Sequence, residues 1–265
     1  YSGRVDIWTI NSGSWSLWTR LYGSYGRYAL FGWAVAMSDD GNIFAISSPN
    51  ATVVDCFSFN GTAFVPYGSK LYGEKASDYF GNTLSMSGDG RYLAIESPYS
   101  DRNGLTDNGA VYVYQYISGS WFLKGNILVG ATSNLPMPTV YLQQGIALSD
   151  DGNSLVVGYP RSSVVGNSYG LVQMYTYSEQ SSSWVQRGQS LNGNKGGSVL
   201  GLSVAVSGDG NVIAMTSALD ADSLLTNTGV VTAYRYDEAH NQWIAMGQTF
   251  RGLYVGDLLG VDIDL

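Results

Sequence analysis

Two carboxylates stand one residue apart in "GVDIDL" (260–265): Asp262 and Asp264. On an extended segment, alternate side chains share a face, so the pair points the same way. Two acids so placed can hold a cation such as Ca2+ or accept hydrogen bonds from a partner. Gly166-Asn167-Ser168-Tyr169-Gly170 spells G-x-S-x-G. That elbow exposes a nucleophilic serine only on a strand-to-helix turn with a histidine in reach. No helical pattern follows it, and the one histidine, His240, sits in the polar turn "DEAHNQW". Cys56, the one cysteine, falls in an apolar column and reads as an inert buried thiol. Asn50-Ala51-Thr52 and Asn60-Gly61-Thr62 are acceptor sequences for N-linked glycans at Asn50 and Asn60. Trp15, Trp121, Trp184 and Trp243 recur at equivalent places, with Phe64 in a fifth. Indoles suit the flat faces of sugars, but recurrence in every copy points to packing between copies.

What must position these groups is a repeat. "AMSDDGNIFAISSP" (36–49) returns as "SMSGDGRYLAIESP", "ALSDDGNSLVVGYP" and "AVSGDGNVIAMTSA". Asp40, Asp89, Asp151 and Asp209 of its turn are 49, 62 and 58 residues apart. A second landmark, Phe31-Gly32, Phe80-Gly81, Leu142-Gln143, Leu200-Gly201 and Leu259-Gly260, keeps the same register. Each unit reads as four short strands. The first ends in an Asp-Gly hairpin turn, where glycine takes positive φ without strain. The spacing predicts strands near 33–38, 43–47, 83–86, 92–96, 110–116, 144–148, 154–158, 203–206, 211–215 and 229–236. It also predicts fourth strands over 121–130, 184–193 and 243–252. In the first strands a large set (Val35/Met37, Leu84/Met86, Ile146/Leu148, Val204/Val206, Ile263/Leu265) alternates with a small one (Ala34/Ala36, Thr83/Ser85, Gly145/Ala147, Ser203/Ala205). Asp262 and Asp264 stand in the small column. Large faces nest on small ones when blades pack side by side.

The expected fold is therefore all-β: one β-propeller of four-stranded antiparallel blades over 1–265. The repeats run approximately 22–72, 73–130, 131–193 and 194–252, with 253–265 and 1–21 as two parts of a further blade. The chain opens with third and fourth strands and closes with a first. About 22 more residues would supply the second strand and close five blades, and the alternative is a seven-bladed ring with part of it outside the sequence. On either count the chain is expected to be a fragment of a longer polypeptide, since an open sheet edge invites pairing.

Composition narrows the function classes. Charged residues are 13% of the chain, against about 25% in ordinary domains, and the formal net charge is −8. The 13 basic residues are scattered, so no nucleic-acid footprint is expected. No stretch approaches 18 apolar residues, so no membrane insertion is expected. A single cysteine excludes an internal disulfide.

The units resemble the FG-GAP repeats of integrin α-subunit-type β-propellers. The resemblance rests on Phe31-Gly32 and Phe80-Gly81, on "SVAVSGDG" (203–210), on "LAIESP" (93–98) in the place of the GAP run, and on "VYVY" (111–114). The calcium-binding members of that family carry D-x-D-x-D-G loops with a further acid. Here the turns are "SDDGN", "SGDGR", "SDDGN" and "SGDGN", too short to wrap a cation, so those sites do not carry over. The resemblance implies an extracellular or cell-surface structural and adhesive module of a larger glycoprotein, in contact with other proteins and needing no cofactor. The alternative is a lectin-like module that binds glycans through loops 99–108, 131–141 and 219–228. No catalytic set is legible in the sequence, and the reading at this point is that the chain is not an enzyme.

Overall fold

The computed structural model describes residues 2–131, 145–162, 169–219 and 227–265. Four blades follow one another along the chain. The first has strands Val35–Met37, Ile43–Ser48, Val53–Phe59 and Phe64–Pro66, and the second Leu84–Met86, Tyr92–Ser97, Ala110–Ile117 and Ser120–Leu123. The third has Ile146–Leu148, Ser154–Tyr159, Leu171–Ser178 and Ser183–Gln186, and the fourth Val204–Val206, Val212–Ser217, Val230–Asp237 and Gln242–Arg251. Each blade is an antiparallel meander, ordered as in the sequence. Before the first lies a two-stranded hairpin, Arg4–Asn11 paired with Ser14–Tyr22. Among the described residues the helical segments are two single 3-10 turns, Pro49–Ala51 and Ala76–Asp78. The all-β propeller expected from the repeats is present.

The recurrent turn has one mechanism. Ser38 Oγ donates to Asp40 Oδ1 at 2.7 Å, the Asn42 amide donates to the same oxygen at 2.9 Å, and the Ile43 amide donates to Ser38 Oγ at 3.0 Å. The same bonds recur at Ser87/Asp89, Ser149/Asp151 and Ser207/Asp209. These aspartates are turn formers. The turns are also stitched across blades. The Asp39 amide donates to the Gly88 carbonyl, the Gly88 amide to Asp150, and the Asp150 amide to Gly208, at 3.0–3.1 Å.

The core lies between blades rather than within them, as the small-and-large alternation requires. Leu84, Leu93 and Ile95 of the second blade pack with Ala45, Val54 and Cys56 of the first, and Ala34 and Ala36 complete that layer. Val156 and Met174 of the third blade meet Val204, Ile213 and Met215 of the fourth in the same way. Farther out, each blade sends a tryptophan into its predecessor. Trp121 Nε1 donates to the Tyr67 carbonyl at 3.0 Å, Trp184 Nε1 to Lys124 at 2.9 Å, and Trp243 Nε1 to Arg187 at 2.8 Å. The residue after each acceptor is glycine. A Cβ on Gly68, Gly125 or Gly188 would lie 2.8–3.0 Å from the nearest indole carbon.

This socket corrects one expectation. The fourth strands of the second and third blades are not continuous. Each breaks at its socket, where the glycine seats the indole of the next blade, and resumes as Leu128–Val129 or Leu191–Asn192. In the fourth blade the strand runs through Gly247 with a register shift opposite Val231/Ala233.

A second correction concerns the ends. Residues 260–265 form no strand, although the Ile263 amide reaches Ser203 Oγ at 3.3 Å beside the fourth blade. Val35 and Met37, the large face of the first inner strand, are 58% and 60% exposed. A cavity of about 1450 Å³ separates them from Val261–Asp264. The described residues form five antiparallel sheets, the four blades and the hairpin of Arg4–Asn11 with Ser14–Tyr22.

Candidate functional site at the channel mouth

The large cavity opens where the inner strands begin. Trp33 enters from the first blade, Tyr79, Asn82 and Thr83 from the second, and Arg161 from the end of the second strand of the third. Tyr99 lies on the loop after the second blade's second strand. Asp262 and Asp264 sit on the far wall, both exposed.

Glu96 is the residue that sequence reasoning missed. It occupies the small column shared by Ser47, Gly158 and Thr216 and is 9% exposed. Its Oε2 accepts from Thr83 Oγ1 at 2.6 Å and from Asn82 Nδ2 at 3.0 Å. Burial pushes its carboxyl above the usual range, while those two bonds and the Arg161 charge pull the other way. The third blade makes room by placing glycine opposite: a Cβ on Gly145 would lie 3.1 Å from Glu96 Oε1. A small cavity of about 40 Å³, enough for ordered water, is lined by Glu96, Asn108, Tyr159 and Arg161. Arg161 is 8% exposed, lies 5.4 Å over the Tyr99 ring and reaches the Tyr99 hydroxyl at 3.4 Å. It lines both the small cavity and the mouth. A buried acid beside a buried guanidinium, both at a cavity, is an arrangement that can move a proton or recognise a polar ligand. The available signal was a charged residue in a column of small ones.

The residues singled out from the sequence are not brought together. Asp262 and Asp264 line the mouth, but among the described residues no three His, Cys, Asp or Glu side chains converge as metal ligands. Cys56 is buried, and burial pushes its thiol far up, as expected of an inert cysteine. His240 Nδ1 lies 2.6 Å from Asp237 Oδ2 on an exposed turn. Ser168 of the G-x-S-x-G run lies outside the described residues, as do 132–141 and 220–226 of the rim loops. Trp121, Trp184 and Trp243 are 2–7% exposed, so their faces are closed to sugars, whereas Trp15 is 71% exposed. Asn50 Nδ2 donates to the Tyr28 carbonyl at 2.8 Å. Asn60 Oδ1 accepts from the Thr62 and Ala63 amides at 3.0 Å in its exposed hairpin turn.

Comparison with known families places residues 73–114, most of the second blade, on the FG-GAP repeat. This stretch matches the FG-GAP repeat. No curated protein matches the chain. Among solved structures, a protein of Bacteroides uniformis named as a 6-phosphogluconolactonase is similar at a TM-score of 0.58 and 14% identity, over 93% of this chain and 65% of its own. One of Bacteroides fragilis with the same name has a TM-score of 0.59 and 13% identity, over 94% and 65%. The periplasmic gluconolactonase of Pseudomonas aeruginosa has a TM-score of 0.58 and 17% identity, over 94% and 64%. The chain thus spans about two-thirds of the length of each. At these identities the likeness establishes the shared fold.

The comparison corrects the reading that the chain is not an enzyme, because neighbours in fold carry the names of lactone hydrolases. No single stretch of the sequence holds a catalytic motif. A propeller brings acids and cations together from different blades, as it does Glu96 and Arg161.

Proposed function

We propose that the chain is an extracellular structural and adhesive propeller module of a larger glycoprotein, and that it holds a protein partner at the channel mouth. The observation that carries this reading is the mouth itself. Its volume of about 1450 Å³ exceeds the roughly 300–1,000 Å³ of small-molecule pockets. Trp33, Tyr79, Tyr99 and Arg161 are residue types enriched where proteins meet. Asp262 and Asp264 would accept a basic side chain of the partner, or a cation such as Ca2+ that bridges to it. Among the described residues no helix is long and apolar enough to cross a membrane. The FG-GAP repeat and the periplasmic neighbour support an exported location. A photo-crosslinking amino acid placed at Trp33 in the source organism tests the proposal. Capture of an exported or surface protein, reduced by Tyr79→Ala, is expected. Adducts confined to this chain would reject it.

A second reading, hydrolysis of a sugar lactone, is favoured by Glu96, whose carboxyl burial raises, in the small cavity it shares with Arg161. Acid release from glucono-δ-lactone, abolished by Glu96→Gln, would support it. A rate equal to buffer alone removes it.

A further inference from the structure

The interface between the second and third blades differs from its two sisters. Where Glu96 stands, the first and third blades have Ser47 and Gly158. Where Arg161 stands, the second and fourth have Tyr99 and Leu219. An acid and a guanidinium are thus set at one interface alone, and the other two close with neutral residues at these places. Joining one blade to the next does not call for a buried charge pair, which costs more desolvation than neutral packing.

The two charges do not neutralise each other by contact. Glu96 Oε2 accepts from Thr83 and Asn82, and Arg161 donates a long bond of 3.4 Å to the Tyr99 hydroxyl. Arg161 acts on Glu96 through its charge, with no hydrogen bond between them among the described residues. Both side chains line the cavity of about 40 Å³, whose walls are otherwise largely apolar, with Pro98, Val111, Leu128 and Val157 among them. Every lining residue belongs to the second or the third blade. Among the described residues no donor reaches Glu96 Oε1. Glycine at 145, where the other blades carry Ala34, Thr83 and Ser203, keeps that oxygen clear. The cavity has room for roughly three heavy atoms at about 10–15 Å³ each.

We propose that this pocket binds the carboxylate of a small organic acid, with the Arg161 guanidinium and the Glu96 Oε1–H both donating to it. Binding here requires neither a protein partner at the mouth nor turnover of a lactone. Arg161 is 8% exposed and has no carboxylate in contact. A neutral ligand would leave its charge buried and uncompensated, whereas a carboxylate neutralises it and matches its planar fork. A carboxylate beside Glu96 requires Glu96 in its neutral form, which burial already favours. Arg161 and Tyr159, both of the third blade, are the titratable groups that act on Glu96. A guanidinium stays charged, and burial pushes the Tyr159 phenol up, so neither changes charge while Glu96 titrates.

NMR titration of the chain with acetate tests this, with acetamide and ethylene glycol as neutral ligands of similar size. Saturable binding of acetate is expected, at least about tenfold tighter than either neutral ligand. Arg161→Met should abolish it, with circular dichroism showing that the variant folds. Between pH 6 and 9 acetate stays ionised, and its affinity for the parent should fall toward tenfold per pH unit once Glu96 ionises. In Glu96→Gln the amide replaces the O–H as donor, so acetate should still bind and the fall with pH should vanish. Acetyl-glycyl-glycine carries the same head group on a peptide and separates two sources of a carboxylate. Binding tighter than acetate assigns the pocket to a chain terminus, and equal or weaker binding to a free acid. No saturable binding of acetate up to about 100 mM would overturn the proposal. So would acetamide or ethylene glycol binding as tightly as acetate, acetate affinity unchanged in Arg161→Met, or equal pH dependence in the parent and Glu96→Gln.

Discussion

Trp184→Ala should cost far more stability than Trp15→Ala, although the two residues hold the same place in the repeat. Trp184 is 5% exposed and stands with its ring centroid 5.5 Å from that of Tyr177. Its Nε1–H satisfies the Lys124 carbonyl, and its ring lies 5.6 Å from the Lys124 ammonium. Truncation removes the apolar contact, leaves a cavity against Gly125 and orphans a buried carbonyl. Large aromatic truncations of this kind cost about 3–5 kcal/mol. Trp15 is 71% exposed, so its loss should stay within about 0.5 kcal/mol. With a urea m-value of about 3 kcal/mol/M, Trp184→Ala should lower the unfolding midpoint by about 1–1.7 M. Trp15→Ala should barely move it. Trp184→Phe, which keeps a ring and loses the donor, should fall between them at about 1–2 kcal/mol. Equal losses at the two positions, or a Trp184→Ala loss under about 1 kcal/mol, would refute the reasoning that the column exists to lock blades together.

Three further outcomes follow from the same packing. Burial lowers the Lys124 ammonium to about 8, so between pH 8 and its unfolded value of 10.5 the unfolded chain binds more protons, and stability should rise with pH across that window. Lys124→Met should flatten the rise in urea titrations taken at several pH values. Burial raises the Glu96 carboxyl, so its contribution is present below its unfolded value of 4.5 and is lost as pH climbs through the folded one. Glu96→Gln should remove that loss, giving a variant more stable than the parent at neutral pH by thermal melting. In material exported by a eukaryote, glycopeptide mass spectrometry should find sugar on Asn60 in preference to Asn50, whose amide nitrogen is held by the Tyr28 carbonyl; an unmodified Asn60 counts against export.

The blades were legible because each depends on local signals repeated four times. Asp-Gly turns, period-two alternation and the recurring tryptophan are read within a few residues of one another. The small column also foretold the nesting of Ala34 and Ala36 against the second blade. What escaped was whatever depends on the neighbouring blade. Nothing local marks Gly125 or Gly188 as a tryptophan socket, because the indole arrives from about 60 residues away. Glu96 was readable only as an anomaly in its column, and its meaning comes from Gly145 and Arg161 of the next blade. The segment 260–265 carries a strand pattern without a strand, since pairing needs a partner the pattern cannot supply.

The central claim is that this propeller works outside the cytoplasm, where its channel mouth can meet a partner. An antibody against the chain, applied to intact and unpermeabilised source cells, tests that claim most directly. The account predicts labelling before permeabilisation and its loss when protease is added outside the cells. Labelling that appears only after permeabilisation and survives external protease would contradict it.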